Sequence, residues 1–189
     1  MRRSGSVAWR AAYPVDVEAN RPASAVIVRV PIPAPLERLR RRWDRAAGLG
    51  VPSHVTLLFP FLDASALDPA CRRVVAAVAG AVAPFSVRFE RIERFPTVLY
   101  LAPEPAEPFR RLTHELAGRF PEHPPYGGAF DDVIPHLTIA ENAEAPFDSI
   151  TTEVAGTLPI ERAVSNLEVL IQTTDGRWHG HWRVPLGGR

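Results

Sequence analysis

The apolar positions of the chain follow two different periods. Apolar and β-branched runs in which side chains alternate between two faces predict strands. Apolar residues three or four apart predict helices with one buried stripe. The predicted strands cover residues 24–30, 51–61, 85–95, 98–102, 133–140, 160–173 and 178–185. The predicted helices cover residues 35–47, 69–82, 109–120 and 147–154.

The order of these elements repeats. Strand, helix, strand, helix and strand occur twice in succession, and one further strand closes the chain in a predicted hairpin around Asp175 and Gly176. This order predicts an α+β fold with two pseudo-symmetric lobes, each an antiparallel sheet with helices on its outer face. We expect residues 23–189 to form one bilobed domain with a groove between the lobes. Residues 1–22 have no periodicity, and we expect an irregular leader.

The third element of each repeat carries the same short motif. His54 and Thr56 are two residues apart in one strand, and His136 and Thr138 are two apart in the other. Residues i and i+2 of a strand share a face and are separated by about 6.6 Å. Each motif therefore presents an imidazole and a hydroxyl to one side, at a spacing that can reach two oxygens of one phosphate.

Two matches of so short a pattern can also arise from composition. The chain has six histidines, and a buried histidine bonded to a backbone carbonyl would explain either copy. The shared context favours a functional pair. Both copies lie in strand-like runs, follow a proline by one or two residues, and precede a helical segment and another strand.

The paired motif resembles the His-x-Thr/Ser motifs of the 2H phosphoesterase superfamily. The resemblance covers residues 24–186 and is closest to the bacterial 2′-5′ RNA ligase type, which includes RNA 2′,3′-cyclic phosphodiesterases. It implies a bilobed fold with His54, Thr56, His136 and Thr138 as catalytic residues. Many members carry a basic residue after the second motif, where this chain has Glu141. That departure favours a small cyclic phosphate or an RNA terminus over a duplex or tRNA-sized substrate.

Two facing histidines make a general acid–base pair. The unperturbed pKa of histidine is near 6.5, so one ring can be neutral and the other protonated at pH 7. The neutral ring would take a proton from water, and the charged ring would donate one to the departing sugar oxygen. The two threonines would donate hydrogen bonds to phosphate oxygens. This predicts a metal-independent phosphodiesterase that opens 2′,3′-cyclic phosphates, with reverse 2′-5′ ligation as a permitted reaction; which histidine is the base stays open.

Two aromatic residues are candidates for substrate binding. Tyr126 lies in a glycine-rich loop ten residues before His136, where its ring can stack on a base or pack on the prolines of its own loop. Phe61 follows the first motif and can line the groove or pack in the core. His179 and His181 offer an alternative metal site for an unrelated hydrolase, although no cysteine or acidic cluster accompanies them.

The composition limits which partners and which cellular surroundings we expect for this chain. The formal net charge of +1 does not indicate a dedicated nucleic-acid binder. We therefore expect an RNA substrate to be bound locally, at its end. One cysteine, Cys71, excludes an internal disulfide. No apolar run reaches membrane-spanning length, and we expect a cytoplasmic monomer without a cofactor. The alternative to an enzyme is a non-catalytic nucleotide or RNA binder on the same fold.

Overall fold

The computed structural model describes residues 23–130, 133–142 and 144–187. The leader predicted for residues 1–22 lies outside the described residues. The strands are β1 Ser24–Arg29, β2 His54–Leu58, β3 Phe85–Phe95, β4 Val98–Glu104, β5 Leu137–Glu141, β6 Ile160–Val164, β7 Asn166–Gln172 and β8 Trp178–Pro185. The helices are α1 Ala34–Trp43, α2 Arg45–Gly48, α3 Pro69–Gly80, α4 Glu107–Arg119 and α5 Phe147–Ala155, with 3₁₀ turns at Ala64–Ala66 and Pro125–Gly128.

Two four-stranded sheets form the two lobes. The first sheet has the order β2-β1-β7-β8, and the second has the order β5-β4-β3-β6. All pairings between named strands are antiparallel. The motif strands β2 and β5 are edge strands of their sheets and lie next to each other. The predicted α+β bilobed fold is therefore confirmed, and its two motif strands meet at the junction of the lobes.

The two repeats exchange strands between the sheets. β3 belongs to the first repeat but pairs with β4 and β6 in the second sheet. The predicted single strand over residues 160–173 is wrong, because Ser165 divides it into β6 and β7. Val164 pairs with Phe85 in the second sheet, whereas Asn166 pairs with Pro185 in the first. Hydrophobic periodicity cannot reveal this division, since apolar residues of both halves, such as Val164 and Leu167, pack in the same core.

The helices α1 and α4 also cross between the lobes. α1 connects β1 to β2 of the first sheet but packs on β5, and α4 connects β4 to β5 but packs on β2. A single hydrophobic cluster contains residues from both sheets, such as Val55 and Leu137. The two sheets therefore share one core.

The helix predicted over residues 35–47 is interrupted at Asp44. Asp44 has an extended backbone (φ −119°, ψ 111°), and its carboxylate accepts a hydrogen bond from the backbone N–H of Ala46 at 2.9 Å. Its other oxygen accepts from the Arg40 guanidinium at 2.8 Å. The side chain therefore caps α2 and neutralises a buried cation, and both bonds favour a break here over a continuous helix. By contrast, α3 begins as predicted, with Asp68 capping the backbone N–H of Cys71 at 2.7 Å.

Each motif strand contains a register shift directly after its threonine. In β2, Thr56 pairs with Ile27 and Leu58 with Val26; in β5, Thr138 pairs with Tyr100 and Ala140 with Leu99. Such a bulge places the next residues on faces that simple alternation does not predict.

The side chains confirm the effect of these shifts. Leu58 and Ala140 join the main core, whereas Phe59 packs with Ile27 on the opposite side of the first sheet. Glu141 pairs with Val98, which packs with Tyr100. Phe59 and Glu141 thus lie on the His/Thr face, the groove side formed by His54, Thr56, His136 and Thr138. Simple strand alternation predicts that Phe59 lies on the same face as Val55 and Leu57, and the bulge makes that prediction wrong.

Candidate active site

His54 begins β2 with both ring nitrogens engaged. Nδ1 lies 2.7 Å from the carbonyl oxygen of Pro52. A carbonyl can only accept, so Nδ1 carries the proton of the neutral ring and Nε2 carries the lone pair. Nε2 lies 3.1 Å from Thr56 Oγ1, and the hydroxyl therefore donates to it. The adjoining Ser53 hydroxyl donates to the carbonyl of Val30 at 2.7 Å, which holds the start of the strand in place.

His136 precedes β5 and has the same orientation. Its Nδ1 donates to the carbonyl oxygen of Ile134 at 2.7 Å, again two residues earlier in the chain. The ring lies edge-on to Phe95 with centroids 5.2 Å apart, and 5.4 Å from the Tyr100 ring. Within the described ranges, its Nε2 and the Thr138 hydroxyl have no hydrogen-bond partner. Each histidine bonds a backbone carbonyl, as a histidine with a purely structural role would, but it does so only through Nδ1.

The two histidines share one electrostatic environment. β2 and β5 are neighbours, and the charged form of His136 contributes to lowering the pKa of His54. No hydrogen bond joins the two rings in the part of the chain that the structure describes. The arrangement places two imidazoles and two hydroxyls on adjoining edge strands.

Arg40 is a charged residue of the site that sequence reasoning missed. Its side chain is 1% exposed. Nε donates to the carbonyl of Thr138 at 3.0 Å and Nη2 to Asp44 at 2.8 Å. The residue lies four positions after Leu36 and so belongs to the buried stripe of α1. A cation on an apolar stripe is the signal that could have identified it.

Burial lowers the pKa of both histidines. The pKa of His54 falls from 6.5 to about 4, first through burial, then through the Arg40 charge; the bond to Pro52 opposes the shift. The pKa of His136 is also lowered by burial, against the bond to Ile134. Both rings are therefore mainly neutral at pH 7 in the free protein. The expectation of one charged ring does not hold before an anion binds.

Tyr126 is buried next to the first motif strand. Its ring is 7% exposed, and its backbone N–H donates to the carbonyl of Phe59 at 2.6 Å. A hydrogen bond links its hydroxyl to the Thr56 side chain, while burial raises the pKa of Tyr126 to about 12. Its φ of 53° is in the left-handed region that non-glycine residues rarely adopt. The small exposed fraction argues against stacking on a base, and the Thr56 bond points to positioning.

Phe61 packs in the core. It is 3% exposed and its ring meets Phe120 edge-on at 4.8 Å. The position expected to line the groove is thus taken by other aromatic residues. On the first sheet, the ring centroids of Phe59 and Trp178 lie 6.0 Å apart. On the second sheet, the rings of Phe95 and Tyr100 lie next to His136. Phe59 escaped sequence reasoning because the bulge after Thr56 reverses the face of the positions that follow it.

Glu141 adds a carboxyl group to the His/Thr face. Burial, and next the negative charge of Asp44, raise the pKa of Glu141 from 4.5 to about 7. An isolated bridge joins the backbones of these two residues. The departure noted in the sequence therefore lies inside the site, where it places a partly ionised acid beside the motif of β5.

The other sequence candidates lie elsewhere. His179 and His181 are exposed on β8. Among the residues described, no group of three or more histidine, cysteine, aspartate or glutamate side chains is arranged to hold a metal ion. The described helices are also too short or too polar to cross a bilayer. Burial and the nearby Asp68 raise the pKa of the Cys71 thiol to about 11, so it stays protonated.

A comparison of the sequence with known protein families gives a match over the part of the chain that carries both motifs. The model of the 2′-5′ RNA ligase superfamily matches residues 28–176, a span that includes both motifs. The chain belongs to this superfamily. The resemblance to 2H phosphoesterases is thereby confirmed, and with it an enzyme of the phosphoesterase and RNA ligase type.

Individual relatives are distant. A Bacillus cereus (strain G9842) protein described as a candidate phosphoesterase is 28% identical over 158 residues, 79% of this chain and 87% of its own. The protein TT0787 of Thermus thermophilus shares the fold with a TM-score of 0.57 at 22% identity, covering 88% of this chain and 99% of that protein. Escherichia coli LigT, solved with 3′-AMP, has a TM-score of 0.54 at 14% identity over 89% of this chain and 99% of LigT.

Proposed function

We propose that this protein hydrolyses 2′,3′-cyclic phosphates on nucleotides or RNA ends without a metal ion. One observation carries the proposal. Two His-x-Thr motifs lie on adjacent edge strands, and each histidine is tied to a backbone carbonyl through Nδ1. The other ring nitrogen, Nε2, contacts the threonine of its own motif in His54 and has no partner among the described residues in His136. Nucleotide binding by LigT, which was solved with 3′-AMP and with NADP+, is consistent with a nucleotide substrate.

The reaction needs one proton acceptor and one proton donor. Nε2 of one histidine takes a proton from water, and the water oxygen forms a bond to phosphorus. The bond from phosphorus to one ribose oxygen breaks, and the protonated second histidine donates its proton to that oxygen. The product is a phosphomonoester next to a free hydroxyl. Both histidines are mainly neutral in the free protein, so the negative charge of the bound phosphate favours protonation of one of them.

Three neighbouring residues prepare the site. The Thr138 hydroxyl is available to donate to a phosphate oxygen, while Arg40 holds the Thr138 carbonyl. Arg40 also places a buried positive charge near the position of the phosphate. Tyr126 bonds the Thr56 side chain and acts as a positioning residue, because it fixes the hydroxyl that contacts His54.

A non-catalytic nucleotide binder is the second candidate. The carboxyl group of Glu141 on the His/Thr face favours it over an enzyme, since a negative charge there opposes the further negative charge that develops on a phosphate during hydrolysis. A binder, however, has no need for two histidines whose Nε2 atoms are both directed away from their backbone anchors.

The test is hydrolysis of nucleoside 2′,3′-cyclic phosphates in EDTA. The wild-type protein should turn over, and the double variant His54→Ala/His136→Ala should not. His179→Ala is the matched control, because it removes an exposed histidine from β8. No turnover by the wild type, together with nucleotide binding that survives His54→Gln, would favour the binder. Activity that EDTA abolishes and His179→Ala reduces would instead indicate a metal-dependent site.

A further inference from the structure

A cavity adjoins the proposed phosphate position at the end of β5. Its volume is about 350 Å³, and it lies between this strand and the junction of α1 and α2. Its lining combines the apolar side chains of Trp43 and Leu49 with the acids Asp44 and Glu141, the amide of Asn142, and three arginines, Arg41, Arg42 and Arg45. Sites for small ligands have volumes of this order and combine apolar walls with a few polar groups. The cavity is thus a candidate subsite for the part of the substrate beyond its phosphate.

Glu141 connects the cavity to the His/Thr face. The β4 partners of Thr138 and Glu141 are Tyr100 and Val98, two residues apart, which corresponds to about 6.6 Å along the strand. The base and the cyclic phosphate of one nucleotide are attached to neighbouring carbons of the same ribose. A nucleotide with its phosphate at Thr138 can therefore place its base beside Glu141.

The Glu141 carboxyl is the open acceptor of this cavity. Within the described ranges it makes no hydrogen bond and no ion pair, whereas Asp44 uses its oxygens on Arg40 and on the backbone of Ala46. Asn142 lies beside it, and the amide oxygen of Asn142 accepts from the backbone N–H of Glu144 at 2.9 Å. The amide nitrogen of Asn142 remains as a donor. The cavity thus offers a carboxyl acceptor next to an amide donor.

This combination matches one base better than the others. A carboxylate accepts two parallel N–H bonds, and guanine presents N1–H and the 2-amino group side by side, next to a carbonyl oxygen. Adenine, cytosine and uracil lack two adjacent N–H donors on this edge. Bases of single-stranded RNA are commonly distinguished through this edge.

We propose that the cavity receives the base of the nucleotide that carries the cyclic phosphate, and that Glu141 makes guanine the preferred base. The inference rests on the proposed function and names its substrate. Good bidentate contacts of this kind discriminate by about 1–3 kcal/mol, which corresponds to roughly 5- to 150-fold in kcat/KM.

The test compares the four nucleoside 2′,3′-cyclic phosphates with the wild-type protein, Glu141→Ala and the control Glu144→Ala, an exposed acid three residues later. The wild type and the control should prefer guanine by about 10-fold. Glu141→Ala should lose that preference while its rates with the other three bases are kept or rise. Equal rates for all four bases in the wild type, or an equal loss for all four in Glu141→Ala, would overturn the inference.

A binding measurement separates this inference from the proposed function. If the wild type hydrolyses none of the four compounds, the proposed reaction fails, but calorimetry with guanosine and adenosine 3′-monophosphate still tests the cavity. Tighter binding of the guanosine compound that Glu141→Ala removes would support guanine recognition. Equal binding of both compounds by the wild type would refute it.

Discussion

At the scale of single residues, the two histidines have equivalent anchors but different surroundings. His54 contacts Thr56 and lies near the Arg40 charge, whereas His136 lies against the rings of Phe95 and Tyr100. Replacing either histidine with alanine removes one proton transfer, and kcat should fall by about 10²-fold or more. Thr56→Ala and Thr138→Ala each remove one hydrogen-bond donor and should cost about 10- to 10³-fold. Steady-state kinetics checks this order; a threonine change that costs more than either histidine change would contradict the assigned roles.

The lowered pKa values set the pH dependence of the reaction. The free protein is active only when one ring is neutral and the other protonated, so kcat/KM should follow a bell whose two limbs belong to the coupled pair. Since the pKa of His54 is about 4 and that of His136 is lowered from its usual value of 6.5, the maximum should lie below pH 6.5. The profile of kcat should lie at higher pH, because the bound phosphate favours the charged imidazole. A flat profile, or a maximum of kcat/KM above pH 7, would contradict this account.

Tyr126 tests positioning against stacking. Tyr126→Phe keeps the ring but removes the hydroxyl bonded to Thr56, and we expect kcat to fall by about 10-fold with KM nearly unchanged. A ring that stacks on a base would give the opposite pattern, with KM raised by Tyr126→Ala and little effect of Tyr126→Phe. Kinetics of both variants with one cyclic nucleotide distinguishes the two roles.

At the scale of secondary-structure elements, the sequence predicts the features that follow a strand or helix period and misses those that do not. Both motif strands and the capped start of α3 are local patterns, and the sequence predicts them. The shifted faces of Phe59 and Glu141 depend on bulges that strand periodicity does not encode. The break in the helix at Asp44 depends on its hydrogen bond to Arg40, which the type of either residue alone does not predict. The residues of the site that sequence reasoning missed therefore lie where a strand bulge or a specific side-chain bond overrides the periodic pattern.

The Arg40–Asp44 pair gives a stability prediction at this scale. Both side chains are almost fully buried. Asp44→Ala leaves the buried guanidinium with only the longer ion pair to Glu37, at 3.5 Å, and should lower the free energy of unfolding by about 3 kcal/mol. The control Arg41→Ala, on the exposed face of α1, should change it by less than about 0.5 kcal/mol. Urea denaturation measures both. Equal effects would show that the pair does not stabilise the junction of α1 and α2.

At the scale of the whole molecule, the exchange of strands and helices between the repeats makes each half incomplete. The first half lacks β7 and β8, and its β3 pairs only with strands of the second half. We expect fragments divided between β3 and β4 to remain unfolded when expressed separately. Circular dichroism of each fragment checks this; two folded, monomeric halves would contradict the single domain predicted from residue 23 onward.

Stability should also depend on pH through His54. The unfolded ring binds a proton with a pKa near 6.5, whereas the folded ring does so only at about 4. The unfolded state therefore takes up protons first, and stability falls as the pH drops from about 6.5 to about 4, by an amount on the order of 3 kcal/mol. Denaturation of His54→Gln should show a smaller fall over this range. The control His179→Gln, at an exposed position, should behave like the wild type.

The most direct test of the central claim follows the phosphorus of a nucleoside 2′,3′-cyclic phosphate by ³¹P NMR in the presence of EDTA. The wild-type protein should convert the cyclic diester to a phosphomonoester, His54→Ala and His136→Ala should each slow the conversion by about 10²-fold or more, and the double variant should leave the diester intact. Conversion by the double variant at the wild-type rate would contradict catalysis by the two histidines.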